Sequence, residues 1–166
     1  MVNDVSALSD PDMSSVVADA GVPVVLMHMS ALPREMQQHT AYDDIIADIR
    51  RFLETRIAAA FASGISPHNI IIDPGIGFGK TYQHNIDLLR KQRSFTDLGY
   101  PLLIGVSRKA VIGIMTGRPA PERVVGSAVV AAFAVQAGAS IIRVHDVAAT
   151  VDAVKVAVAL RSREAK

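Results

Sequence analysis

Short, nearly uninterrupted apolar runs alternate along the chain with longer segments whose apolar residues recur every three or four positions. The runs are Val2–Asn3, Val22–Met29, Asn69–Asp73, Leu102–Ser107 and Ala139–His145. Strands buried on both faces read this way. The intervening segments carry helix punctuation. Asp10-Pro11 predicts an N-cap with proline in the first turn, and Gly21 stops the helix after Met13, Val16, Val17 and Ala20. Between Asp43 and Ala62, the residues Ile45, Ile49, Phe52, Leu53, Ile57 and Phe61 share one face, and Gly64 ends the segment. Thr81 is placed to cap a helix bearing Ile86, Leu88 and Leu89. Pro121 is expected to open a small-residue helix closed by Gly138. Thr150 is expected to cap a last one, with Val151, Val154 and Val158 turned inward.

Strand–helix alternation repeated five times, with no hairpin signal, predicts a parallel α/β sheet with right-handed crossovers. The first run has two residues before its polar end, against a usual five or six. The chain is therefore expected to begin within a strand.

Composition narrows the picture. Hydrophobic residues at 50% and charged ones at 20% exclude a disordered chain. Seventeen basic and sixteen acidic residues give a net charge of +1, which predicts neither a nucleic-acid partner nor a membrane surface. Without cysteine, disulfides, thiolate metal sites and a cysteine nucleophile fall away together. Mean hydropathy is +0.30, yet the run Val22–Met27 is too short to span a bilayer. Met1-Val2-Asn3-Asp4 does not read as a secretion signal, so a cytoplasmic chain is expected. One domain, 1–166, accommodates this length, whereas a closed (β/α)₈ barrel takes about 250 residues.

The candidate chemistry sits at the C-terminal ends of the runs: Asn3-Asp4, Met27-His28-Met29, Asp73-Pro74-Gly75, Ser107-Arg108-Lys109 and Arg143-Val144-His145-Asp146. That is the ligand-binding face of a parallel α/β fold. The glycines of Gly75-Ile76-Gly77-Phe78-Gly79-Lys80 suggest a nucleotide loop, but their spacing excludes it. A Walker loop ending in Gly79-Lys80-Thr81 needs glycine where Pro74 stands, and a dinucleotide fingerprint from Gly75 needs glycine at Lys80. What remains is a backbone able to approach a ligand closely after Asp73.

The strings Val-Asn-Asp-Val-Ser, Leu-Met-His-Met, Asp-Pro-Gly-Ile-Gly-Phe-Gly-Lys, Gly-Val-Ser-Arg-Lys and Arg-Val-His-Asp-Val, in this order, resemble the C-terminal three-fifths of the dihydropteroate synthase family. The resemblance implies a partial TIM (β/α)₈ barrel of about five βα units, the N-terminal three being absent. It implies condensation of 6-hydroxymethyl-7,8-dihydropterin pyrophosphate with para-aminobenzoate, releasing pyrophosphate, by a chain expected to be inactive alone. A non-catalytic pterin-binding fragment and a methyl-tetrahydrofolate-binding relative are the alternatives.

By the same resemblance, Asn3, Met27, Asp73, Lys109 and Arg143 bind the pterin, whose adjacent N–H donors suit the Asp73 carboxylate. Gly77, Phe78, Ser107 and Lys109 form the aminobenzoate pocket, and Arg143 and His145 hold the pyrophosphate. Lys109, Arg143 and His145 are the catalytic candidates. Sequence alone does not separate this role of Lys109 from that of a Schiff-base lysine. Arg143 and His145 alternate, so they are expected to face the same way. His28, between two methionines, reads as packing, and His39, His68 and His84 carry no metal spacing. Arg108, Asp4 and Asp146 read as orienting groups or structural ion pairs. Mg²⁺ is expected from the family, its protein ligand being an asparagine that this chain lacks. Ala7-Leu8 stand where many members have glycines. The implied partners are the two small molecules and further copies of the chain, with no nucleic acid and no membrane.

Overall fold

The computed structural model describes residues 1–31, 34–38 and 40–161. Five parallel strands follow one another in chain order: β1 (Val2–Asp4), β2 (Val24–Met27), β3 (Ile70–Asp73), β4 (Leu103–Ile104) and β5 (Ile141–Ile142). β1 pairs with β2 and β2 with β3, placing Asn3 beside Val25 and Met27 beside Asp73. A bridge between Ile72 and Leu102 carries the array across to the β4–β5 pair. The α/β class and the parallel pairing are as the sequence predicts. The last two strands are shorter than their apolar runs, because residues 105–107 and 143–145 leave the ladder to form loops.

Alternation along each strand separates two faces. Val24, Leu26, Ile70, Ile72, Leu102 and Ile104 pack outward into the main core with Val17, Ile49, Leu53, Phe95 and other helix residues. Val25, Ile71 and Leu103 face the other way and form a small cluster with Ile141. An apolar inner face stripped of an opposing layer would be exposed, yet Val25 is 0% and Leu103 2% accessible. The array curves until its inner residues cover one another: Arg143, just past β5, reaches Asn3 on β1. Exposed apolar surface lies on the helices instead.

Among the described residues seven α-helices flank the strands: α1 (Pro11–Ala20), α2 (Ile45–Ala62), α3 (Tyr82–Arg90), α4 (Arg93–Thr96), α5 (Ala110–Thr116), α6 (Val124–Gln136) and α7 (Val147–Leu160). Asp10 caps α1 through the Asp12 amide, and Gly21 ends it in the left-handed conformation. Asp44 caps α2, and Thr81 with His84 forms a capping box on α3. Three expectations need correction. Pro121 lies in a 3₁₀ turn ahead of α6, which begins at Val124. Thr150 does not cap α7; the helix starts at Val147 after Asp146, and the Thr150 hydroxyl donates back to the Asp146 carbonyl at 2.8 Å. Val151 and Val158 point outward, while Thr150 and Ala157 are buried. α4 and α5 have no counterpart in the apolar pattern, being four and seven residues long.

The turn after β1 holds two side-chain-bearing residues at left-handed φ, Ala7 at 52° and Leu8 at 61°. Such a backbone costs about 1–2 kcal/mol per residue, so neighbouring groups must impose it. The Asp4 carboxylate accepts from the Ser6 and Leu8 amides at 2.8 and 2.6 Å. From α2, the Arg56 guanidinium donates to the Ala7 and Leu8 carbonyls at 2.5 Å each. Replacing Arg56 by Leu is expected to cost about 1.5–3 kcal/mol, the range for hydrogen bonds to a charged group. Urea unfolding measures it; a change below about 0.5 kcal/mol would show that Asp4 alone shapes the turn.

Candidate functional site

Asn3, Asp73, Gly105 and Arg143 stand at or just beyond the C-terminal ends of their strands and converge on the inner face. Asp73 is fully buried. Its Oδ1 accepts from the Gly75 amide at 2.7 Å. Its Oδ2 faces Arg143 Nη2 at 3.0 Å, close enough for charge pairing but without the alignment of a hydrogen bond. Arg143 Nη1 donates to Asn3 Oδ1 at 2.6 Å. The guanidinium lies against Gly105, where a Cβ would come within 2.6 Å of Nη2, so a side chain there would push the guanidinium aside. Met27, beside Asp73 in register, is equally enclosed. Burial pushes the Asp73 carboxyl up, opposed chiefly by the Arg143 charge and the Gly75 amide.

Lys109 closes the next wall. Its ammonium donates to the Ile76 carbonyl and sits 4.4 Å from the centre of the Phe78 ring. Gly77 lies under its stem, since a Cβ there would approach Cδ to 3.1 Å. Burial lowers the Lys109 ammonium to about 8, partly offset by Asp73. Lys109 borders two cavities. One, about 170 Å³, is lined by Gly105, Ser107, Lys109, Arg143, Val144 and His145. The other, about 360 Å³, includes Gly77, Phe78, Lys80, Asn85 and Lys109. Ser107 thus shares a cavity with His145 rather than with Gly77 and Phe78. Its hydroxyl meets His145 Nδ1 at 3.0 Å and accepts from the His145 amide at 3.2 Å.

Arg143 and His145 lie beyond β5 rather than in it, and they still line one cavity. Arg108, at φ 57°, forms a bidentate pair with Asp146, from Nε at 2.9 Å and Nη2 at 2.5 Å. The pair ties the β4 loop to the start of α7, which holds Lys109 and His145 in fixed relation. It lowers the Asp146 carboxyl. Asp4 is likewise structural, through the turn described above. His39 lies outside the described residues, and His84 caps α3.

The sequence reading missed the underside of the glycine loop. Lys80, seen only as the end of a failed nucleotide motif, is 4% accessible. Its ammonium donates to the Phe78 carbonyl at 2.8 Å and contacts His28 Nδ1 at 3.0 Å. His28 does pack, as expected, against Phe52 in a T-shaped contact at 4.8 Å, and it is also this lysine's partner. Asn85 accepts from the Gly77 amide at 2.7 Å, and the Tyr42 hydroxyl donates to the Gly79 carbonyl at 3.0 Å. Apolar patterning carries no trace of these polar groups.

Burial lowers the Lys80 ammonium to about 7 and the His28 imidazolium to about 3. For Lys80 the unfolded chain, titrating near 10.5, binds the extra proton between pH 7 and 10.5. Stability from this group is therefore lowest at and below pH 7 and rises with pH across that window, by about 1.4 kcal/mol per pH unit at most. The melting temperature of the wild type, relative to Lys80→Met, is expected to climb between pH 7 and 9.5. Parallel curves would mean that the lysine is solvated.

The residues present do not fit a divalent-cation site. Among the described residues no group of three or more His, Asp or Glu could hold a metal, and the Asp73 carboxylate faces the Arg143 cation. No described helix is long and apolar enough to cross a membrane.

The model of the family described as pterin binding enzyme matches residues 1–145. Dihydropteroate synthase of Haemophilus influenzae is 44% identical over 156 residues, covering 94% of this chain and 57% of that protein. The crystal structure of dihydropteroate synthase from Thermus thermophilus in complex with 6HMPPP superposes with a TM-score of 0.92 at 40% identity, over 96% of this chain and 64% of that one. Dihydropteroate synthase of Xanthomonas albilineans with 4-aminobenzoic acid gives a TM-score of 0.90 at 47% identity, over 98% and 57%. The chain spans a little over half the length of the curated relative.

Proposed function

The chain belongs to the pterin-binding enzyme family, and from that premise we propose that it serves dihydropteroate synthesis, holding a dihydropterin pyrophosphate against para-aminobenzoate. The carrying observation is Asp73: a fully buried carboxylate, one oxygen fixed by a backbone amide and the other without an aligned donor, at the strand-end face. Adjacent N–H groups on a pterin edge supply the missing donors, and Asn3 offers a donor and an acceptor beside them. The likeness to structures solved with 6HMPPP and with 4-aminobenzoic acid supports both ligand classes.

The pterin ring displaces the Arg143 guanidinium from the carboxylate and frees it to stack and to meet the diphosphate. His145, held by Ser107, adds a second donor to that anion. The aminobenzoate nitrogen attacks the pterin methylene as its C–O bond breaks; diphosphate departs with the electron pair, and the amine loses a proton. The protein positions both molecules and compensates the developing charge. Lys109 and Phe78 form the wall against the aromatic ring. The protein is taken to be cytoplasmic, its five βα units forming part of a (β/α)₈ barrel.

Self-association is part of the reading. α6 presents Val125, Val129 and Phe133 at i, i+4 and i+8, and α7 presents Val147, Val151 and Val158 on one face, all exposed. Rows of this kind suit a second copy of the chain.

Calorimetric titration with 6-hydroxymethyl-7,8-dihydropterin pyrophosphate tests the function. Saturable binding is expected. Absence of binding up to about 1 mM, the weakest affinity of interest, would overturn the reading.

A further inference from the structure

The glycine loop has little shape of its own. Gly75, Gly77 and Gly79 all adopt positive φ, 71°, 82° and 64°, where glycine is almost free to move. Its form is imposed from outside. It lies so tightly on the segment after β2 that a Cβ on Gly75 would come within 1.9 Å of the His28 carbonyl oxygen, and one on Gly79 within 1.7 Å of Ser30 Oγ. Lys80 then turns back beneath the loop and ties the Phe78 carbonyl to His28.

An ammonium is a costly way to fill that space. Both hydrogen-bond partners are uncharged, and the side chain is almost wholly withdrawn from solvent. A methionine or leucine of similar volume would pack there without desolvating a charge. What the ammonium adds is direction: two bonds that fix one carbonyl relative to the end of β2. That carbonyl belongs to the residue whose ring meets Lys109, and the ammonium of Lys109 is itself held by Ile76 in the same loop.

We propose that Lys80 is a positioning residue for the aromatic-amine subsite: with His28 it fixes the Phe78 carbonyl from beneath the loop and so sets the wall that Phe78 and Lys109 form. The inference rests on the functional reading above for the identity of the ligand. It separates the two subsites. Asp73 and Asn3 are held by Gly75 and Arg143, whereas the bonds of Lys80 go to the Phe78 carbonyl and to His28, leaving only its charge to act on Asp73.

The test uses the 166-residue chain, Lys80→Met, and Lys80→Cys alkylated with 2-bromoethylamine, which rebuilds the lysine side chain with sulfur in place of Cγ. The chain contains no cysteine, so the alkylation is confined to position 80. Calorimetry measures the pterin pyrophosphate first and para-aminobenzoate on the pterin-saturated protein second. Lys80→Met is expected to weaken aminobenzoate about tenfold or more, to leave the pterin within about threefold, and not to lower the melting temperature; aminoethylation of K80C is expected to recover the aminobenzoate affinity. Aminobenzoate affinity within about twofold of wild type in K80M overturns the proposal. Parallel loss of both ligands with a lowered melting temperature, or failure of the aminoethylated protein to recover, also overturns it. Wild-type protein that binds the pterin but no aminobenzoate overturns this inference alone. Wild type that binds neither overturns the functional reading with it.

Discussion

Replacing Asp73 by Asn is expected to weaken pterin binding between about tenfold and a hundredfold while leaving the fold in place. The amide is almost the size of the carboxylate, so packing around β3 is unchanged. Its hydrogen bonding is not. The Gly75 amide, 2.7 Å from Oδ1, requires an acceptor and turns the new amide oxygen toward itself. The NH₂ group then occupies the Oδ2 position, where Arg143 and the pterin edge both present donors. A charge-assisted hydrogen bond is worth about 1.5–3 kcal/mol, and 1.4 kcal/mol is a factor of ten. Stability is not expected to fall, because burial disfavours the Asp73 charge and the half-exposed Arg143 side chain can return to solvent. Calorimetry with the pterin ligand and a thermal melt on the same preparation measure both halves. Affinity within about twofold of wild type would remove Asp73 from the site.

That residue was legible because Asp73 ends an apolar run and opens a glycine loop, and both features follow from a parallel strand delivering a ligand group to its C-terminal edge. The cap at Asp10 and the stop at Gly21 were legible for similar reasons, each being local backbone chemistry. The failures share a different origin. Gly105, just past β4, has the Arg143 guanidinium against it, a contact made across 38 residues of chain. Val151 and Val158 obey helical spacing but face solvent, while Thr150 and Ala157 are buried, because α7 packs against α6 through its small residues. Apolar periodicity names a face without saying what covers it. Lys80 was invisible for a third reason. A lysine after a glycine loop is solvated by default, and only the folded path of residues 75–80 turns it beneath the chain.

The 166 residues by themselves are expected to bind the pterin yet turn over more than about a thousandfold more slowly than a full-length relative, since losing even one preorganised donor to a departing anion costs about 10²–10³. The inner face supplies the floor: Asn3, Asp73, Lys109, Arg143 and His145 come from the C-terminal ends of β1, β3, β4 and β5. Against the leaving diphosphate the described residues offer Arg143, first engaged by Asp73 and Asn3, and His145, which is exposed. The Haemophilus influenzae relative is longer by nearly half its length. Binding energy from the ring can still be collected, but charge compensation in the transition state cannot. The described strands also leave the outer edges of β1 and β5 unpaired, and such edges, with the apolar rows on α6 and α7, favour association. Sedimentation is expected to show a species larger than a monomer, and a labelled-aminobenzoate assay to show no product above background. A chimera carrying the missing segment of the Haemophilus protein is expected to recover turnover. A monomer working at full-length rates would mean that five strands hold the whole catalytic apparatus, and the division between floor and leaving-group control drawn from Arg143 and His145 would be wrong.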